Sequence, residues 1–312
     1  MSSSRTYKGI EIFRVVAAFL VVAIHTSPLA SYSGTADFVF TRVIARVAVP
    51  FFFMVTGYFV LSKGTGVRRF LKKTAIIYAA SAALYLPINV YAGHLQGWGL
   101  LDLVQQVFFE GTFYHLWYLP AALLGAWLTS LLMRRTSRGV CAAIVTALYV
   151  LGLLGDSYWG LIEGVPGVSS AYNALFALMG YTRNGLFFAP MFMFLGAEIR
   201  MAKRRSVGFE AAGLVLSFAL MLAEALNARA QGWQRHDSMY VLLPFVMYFL
   251  FALLSRVKGS VRLPLGSSSL LVYVLHPAVI IVVRGAARFL GLWDILVENS
   301  LGHYVAVCIG RA

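Results

Sequence analysis

Apolar runs of about 20 residues, the length a helix needs to cross a bilayer, recur along this chain, and the connections between them alternate in charge. Lys63, Arg68, Arg69, Lys72 and Lys73 share one connection. Arg134, Arg135 and Arg138, then Arg200, Lys203, Arg204 and Arg205, then Arg256, Lys258 and Arg262 fall on every second connection after it, and Arg5 and Lys8 precede the first run. The intervening connections carry Asp37, then Asp102 and Glu110, Asp156 and Glu163, Asp237, and finally Asp294 and Glu298. Positive charge is retained on the cytoplasmic side of membrane spans. The pattern predicts an all-α, polytopic transmembrane bundle with its N-terminus in the cytoplasm.

Composition agrees. Charged residues make up 12% of the 312 positions and mean hydropathy is +0.78, whereas a soluble domain is about one quarter charged. Spans are predicted near residues 10–30, 41–61, 74–92, 116–133, 140–155, 184–199, 207–226, 239–254 and 267–284. A tenth begins near Leu301 and stops at Ala312; those residues rise about 18 Å against a hydrocarbon core of about 30 Å, so this span reads as truncated. A net charge of +14 does not point to nucleic acid, because the cations sit in short clusters between apolar runs rather than along one solvated face. The lipid bilayer is the expected partner. Cys141 and Cys308 lie in apolar stretches and read as buried thiols rather than a disulfide. No Walker motif, GxGxxG turn or HExxH helix occurs, so residues 1–312 read as one membrane domain with no soluble catalytic domain and no metal. The connection 156–183 contains an apolar stretch from Ala171 to Met179 and reads as a lid over an outward-facing site or as a surface loop.

An ionisable side chain inside a span costs about 2.5–3.5 kcal/mol on insertion scales, so each implies a partner, a wet cavity or a task. In IEIFRVVAAFLVVAIHTSP, Arg14 and His25 are eleven positions apart, which puts them about 20° apart in azimuth and about 16 Å apart in height on one helix. In RVIARVAVPFFFMVTGYF, Arg42 and Arg46 lie one helical turn apart and Arg46 reaches about the depth of His25, while Pro50 and Gly57 bend or thin the helix. Three further groups fall at the outer face: His115 between Tyr114 and Trp117, Arg183 with Asn184, and Arg235, His236 and Asp237. Adjacent residues diverge by about 100° on a helix, so His236 and Asp237 act separately or Asp237 caps the following helix. In SSSLLVYVLHPAVII, His276 falls near mid-membrane. An inner cation, a mid-depth histidine and an outer cluster of His25, Arg46 and Arg183 together read as a route across the membrane.

Taken in order, FRVVAAFLVVAIH, RVAVPFFFMVTGYF, YHLWYLPA, RNGLFF with FLG, and SSSLLVYVLHP resemble the landmarks of the integral-membrane acyltransferase-3 family over nearly the whole chain. LLGDSYWGLI, GYTRNGLFFAPMFMFLG and RHDSMYVLLP are most similar to the membrane domain of VanT-type serine/alanine racemases of vancomycin resistance. The resemblance implies a protein of the bacterial cytoplasmic membrane that moves an acyl group, commonly acetyl from acetyl-CoA, to a hydroxyl of a glycan or small acceptor outside. The Arg14 to His25 spacing matches the family's Arg-x10-His pattern, which implies His25 as base; on physical grounds Arg14 and Arg46 join it in the catalytic set, with Arg46 or Arg183 stabilising the oxyanion or orienting the acceptor. By charge and position, Arg14, Lys72 and Lys73 are expected to hold the polyphosphate of acyl-CoA, and Arg183, Asn184, His115, His236, Asp237 and His276 to bind the acceptor. The alternative the resemblance carries is an L-serine uptake module serving a C-terminal cytoplasmic racemase domain. No candidate lysine motif for pyridoxal phosphate occurs here, so this chain is not expected to be the racemase.

Overall fold

A computed structural model describes residues 7–259 and 265–310, with side chains from Ser269 onward in the second stretch. Arg5, Arg262 and Ala312, used above, lie outside the described residues. Helices run in the order α1 (Lys8–Thr26), α2 (Gly34–Phe38), α3 (Ala48–Phe59), α4 (Val67–Tyr91), α5 (Leu100–Gln105), α6 (Tyr118–Arg135) and α7 (Arg138–Leu154). They continue with α8 (Pro166–Met179), α9 (Ala189–Met201), α10 (Val207–Ala230), α11 (Leu243–Leu254), α12 (Leu265–Phe289) and α13 (Ser300–Ile309). Among the described residues, five helical segments have the length and hydropathy to cross a membrane: Lys8–Thr26, Gly34–Lys63, Val67–Tyr91, Val207–Ala230 and Ser269–Phe289. Arg138–Leu154, Leu243–Leu254 and Ser300–Ile309 are shorter apolar helices. This is an all-helical, multi-pass membrane protein. The apolar stretch expected inside 156–183 is helical, as α8.

The chain divides into two compact units, residues 1–52, 207–214 and 249–312 in one and 53–206 and 215–248 in the other. In the first, α1 lies against α12 and α13. Its buried side carries Ala17, Ala18, Val21 and Val22, and such small residues allow close helix contact where lipid supplies no hydrophobic drive. Val22, Ile280 and Val307, one from each helix, form the centre of that contact. Ser27 ends α1 in the left-handed region at φ 47°, returning its N–H to the Ala23 carbonyl at 2.9 Å, and Pro28 follows. The turn is then fastened to α13: Ser31 Oγ and Ser300 Oγ are 2.8 Å apart, and Ser300 Oγ donates to the Pro28 carbonyl at 2.8 Å. Buried Glu210 holds Arg256 with both oxygens, at 2.6 and 2.7 Å.

The regular helix expected through Arg42 and Arg46 does not form. A π-helical turn at Val39–Val43 is followed by a 3-10 turn at Ile44–Val47, and only then does α3 begin. Two causes are local. Thr41 bonds back to the Asp37 carbonyl at 2.7 Å, a habit that bends helices, and Pro50 offers no N–H to the carbonyl of Arg46, four residues earlier.

In the second unit α6 lies against α4 and α9, and α9 against α7. Glycines set how closely these helices pass. A Cβ on Gly57 of α3 would overlap the Met193 carbonyl of α9, and one on Gly196 of α9 would overlap the Met54 carbonyl of α3. Gly57 therefore thins its helix, as the sequence predicts. Asp156, fully buried, accepts from the Ser238 and Met239 amides at 2.7 and 2.9 Å and from Ser157 Oγ at 3.0 Å. Its carbonyl accepts from the Arg235 and His236 amides at 3.0 and 3.3 Å. One residue thus fixes the whole segment from 235 to 239. Glu224 receives the Val241 and Leu242 amides at 2.6 and 3.0 Å at the start of α11.

Candidate functional site

The first unit brings together Arg14, His25, Arg46 and His276 from the residues singled out above. Arg14 sits 3.2 Å from Glu11, one turn earlier on α1. Arg46 rides on the 3-10 turn, buried, and that turn packs against α1. The imidazole of His25 meets that of His276, with ring centroids 4.9 Å apart and planes at 33°. The two histidines, read from separate spans, form one ring pair. Pro277 explains how the second ring is held. Lacking an N–H, Pro277 cannot bond the carbonyl of Tyr273, four residues back, and His276 Nδ1 lies 2.8 Å from that oxygen. A carbonyl only accepts, so Nδ1 carries the hydrogen of this bond.

A third histidine belongs to this unit and was missed. His303 on α13 is buried, with Nδ1 2.9 Å from the Leu296 carbonyl. Its signal was available, since Ser300, His303 and Val307 recur at helical spacing, but a run read as a truncated span drew attention away from its polar face.

The second unit holds His115, Arg183, Asn184, His236, Asp237, Lys72 and Lys73. Lys72 and Lys73 are exposed near the start of α4. His115 is buried with the rings of Tyr85, Phe113 and Tyr114 at 5.0, 5.7 and 5.6 Å. The Asn184 amide donates to the Tyr181 carbonyl at 2.9 Å and accepts from the Leu186 and Phe187 amides at 2.9 and 3.1 Å. It shapes the turn that presents Arg183. The Arg183 guanidinium lies 5.1 Å from the Trp117 ring centre and 4.5 Å from that of Tyr181, and Tyr181 in turn meets His236 at 4.4 Å. Asp237 is half-buried in the same segment.

Arg183 borders a cavity of about 120 Å³ whose other walls include Gln106, Glu110, Tyr114, Trp117 and Tyr181. That is the liquid volume of about four waters, room for a small polar molecule. Glu110 is the anion of this cavity, and sequence reasoning read it only as a marker of the outer face. Gln106 donates to it at 2.7 Å. Burial pushes its carboxyl above the ordinary value near 4.5, opposed by Gln106 and by the charges of Arg183 and Arg235. A carboxyl raised in this way binds more protons folded than unfolded, so stability falls as pH rises from the unfolded value through the native one and stays lower above it. Thermal melting in detergent is expected to show this fall in the wild type and a shallower one in Glu110→Gln. Identical pH profiles for the two proteins would contradict the burial of Glu110.

These are buried polar groups gathered on the helices of an integral-membrane protein, with an imidazole pair among them. Residues 7–311 match the family described as "Acyltransferase domain", and the chain belongs to this acyltransferase-3 family. It is 42% identical to an "Amino-acid racemase" of Enterococcus faecalis across 99% of this chain and 44% of that relative. It is 37% identical to a "Serine/alanine racemase" of Enterococcus gallinarum across 97% of this chain and 44% of the relative. The chain thus spans under half the length of these relatives. No solved structure matches it significantly.

Proposed function

We propose that this protein is an acyltransferase of the bacterial cytoplasmic membrane, oriented with its N-terminus inside, moving an acyl group, in the simplest case acetyl, from cytoplasmic acyl-CoA to a hydroxyl at the outer face. The observation that carries this reading is the His25 imidazole, held against His276 within a chain of acyltransferase family. His25 takes the hydroxyl proton as the oxygen bonds to the thioester carbonyl. The carbon–sulfur bond then breaks, and the thiolate leaves as CoA after receiving that proton. Arg46, buried beside α1, is suited to the negative charge that develops on the carbonyl oxygen. Arg14, and separately Lys72 and Lys73, offer cations to the CoA phosphates. The test is release of free CoA by the reconstituted protein supplied with acetyl-CoA on the cytoplasmic side. His25→Ala is expected to lower it by about 10²–10⁴-fold, the usual contribution of a general base; equal release from both proteins would overturn the assignment.

A second reading is favoured by the printed names of the relatives and by the cavity that pairs Glu110 with Arg183: an L-serine uptake module working with a cytoplasmic racemase domain. A zwitterionic amino acid needs one anion and one cation, and Arg suits its carboxylate. Saturable serine flux into vesicles, lost in Arg183→Ala, would select this reading, whereas CoA release that depends on an alcohol acceptor selects the first.

A further inference from the structure

Between α4 and α5 the second unit contains a hollow that neither reading of the reaction uses. The hydroxyl of Tyr78 donates to the Val107 carbonyl at 2.8 Å, and the side-chain amide of Asn89 donates to the Thr112 carbonyl at 2.5 Å. These two bonds fasten the segment after α5 to α4 at two levels, eleven residues apart on one helix. Between the fastenings α4 presents Ala82 and Ala83, whose side chains are too short to fill the space. A hollow of about 680 Å³ results, walled by Ala82, Ala83, Leu86, Trp98 and Leu103, with Asn89 as its buried polar member.

The hollow opens on the surface that meets lipid. α4 is one of the helices long and apolar enough to span a membrane. On it Leu84, Leu86 and Val90 are exposed, as are Leu100, Leu101 and Leu103 of α5, and apolar side chains exposed on both walls mark a membrane contact. The volume is that of about twenty waters, room for one hydrocarbon chain.

Asn89 adds a polar requirement. Its side chain is 3% exposed. Because a carbonyl only accepts, the Thr112 bond fixes Nδ2 toward that oxygen, and Oδ1 lies 3.4 Å from His94 Nδ1. Nδ2 carries two hydrogens, and the second has no acceptor among the described residues. A buried donor without an acceptor is costly where water is absent, so the occupant has to bring an oxygen. Asn89 is sixteen positions beyond Lys73, about 24 Å along the helix, and so near the far edge of a hydrocarbon core of about 30 Å. Lipid chains meet their ester groups at that depth.

We propose that this hollow is a binding site for one chain of an ester-linked bilayer lipid: its methylenes lie against Ala82, Ala83, Leu86 and Leu103, and its ester carbonyl accepts from Asn89. On the orientation proposed above, the lipid belongs to the outer leaflet. The site rests on neither acyl transfer nor serine uptake and stands with either.

The test is native mass spectrometry of the full chain, released into mild detergent from vesicles of dioleoyl phosphatidylglycerol or of its ether-linked analogue. The wild type is expected to retain one ester lipid per chain and about two- to tenfold less of the ether lipid, the range set by one hydrogen bond. Asn89→Ala is expected to retain the two lipids equally. Ala82→Leu combined with Ala83→Leu fills the hollow from a lipid-facing surface; it is expected to melt with the wild type and to retain about tenfold less lipid. Equal retention of ester and ether lipids by the wild type overturns the proposal, as does an ester preference that persists in Asn89→Ala or unchanged retention in the folded leucine variant. A wild-type chain that retains no lipid overturns it too, and its elution as a dimer would assign this face to a second copy. The comparison of ester with ether lipid needs no variant, so it decides the matter even where a substitution impairs folding.

Discussion

Gly57→Leu and Gly196→Leu are each expected to prevent accumulation of folded protein, and the corresponding alanine variants to destabilise it by about 1–3 kcal/mol, the usual cost of overpacking a well-packed contact. The contact is reciprocal. Each glycine faces a backbone carbonyl of the other helix, Met193 for Gly57 and Met54 for Gly196, so an added Cβ meets main chain rather than a side chain that can turn away. Relief requires separating α3 and α9. Both helices are rich in buried side chains here, with Phe53, Met54, Phe192 and Met193 at or near zero exposure, and separation would open space around all of them. Detergent melting curves and elution profiles provide the check. An alanine variant that melts with the wild type would mean the helices are not in backbone contact.

The second large effect is expected at Asp156. Asp156→Ala removes the acceptor of two buried backbone amides, Ser238 and Met239, and of the Ser157 hydroxyl. A buried donor left without an acceptor costs about 1–3 kcal/mol, so the two amides alone predict a loss of about 2–6 kcal/mol. Asp156→Asn keeps a carbonyl oxygen in the same place and is expected to lose much less, since only the charge-assisted part of each bond is weakened. The comparison matters because the amides of Arg235 and His236 bond the carbonyl of this same residue. If melting shows Asn and Ala to be equally damaging, the carboxylate is valued for its charge rather than for the bonds it accepts.

Much of the helical content is legible in the sequence because bilayer length and apolar composition act within one segment. The run read as 207–226 lies within α10, and the run read as 10–30 covers all of α1 but its first two residues. Where a side-chain bond and a proline compete with the helix, as at Thr41 and Pro50, hydropathy does not register the break, and Arg42 and Arg46 lose the spacing assigned to them. Site residues divide the same way. Arg14 and His25 can be placed from one helix, and His276 stands out as a histidine in an apolar run. That the two rings touch depends on which spans are neighbours, which periodicity does not encode. Asp156 and Glu110 were legible only as charges on outer connections, because their importance comes from amides and aromatic rings far away in the chain.

The serine clasp between the end of α1 and the start of α13 joins Ser31 to Ser300, 269 residues apart. Chains enter the membrane in the order of synthesis, N-terminal segments first, and contacts between distant segments are slow to form. The first helix therefore waits in the bilayer, with Arg14 and His25 lacking their final surroundings, until nearly three hundred residues have been translated. Inserting this protein is a problem of timing as much as of hydrophobicity: the segment that carries the proposed base is the earliest to arrive and among the last to be completed.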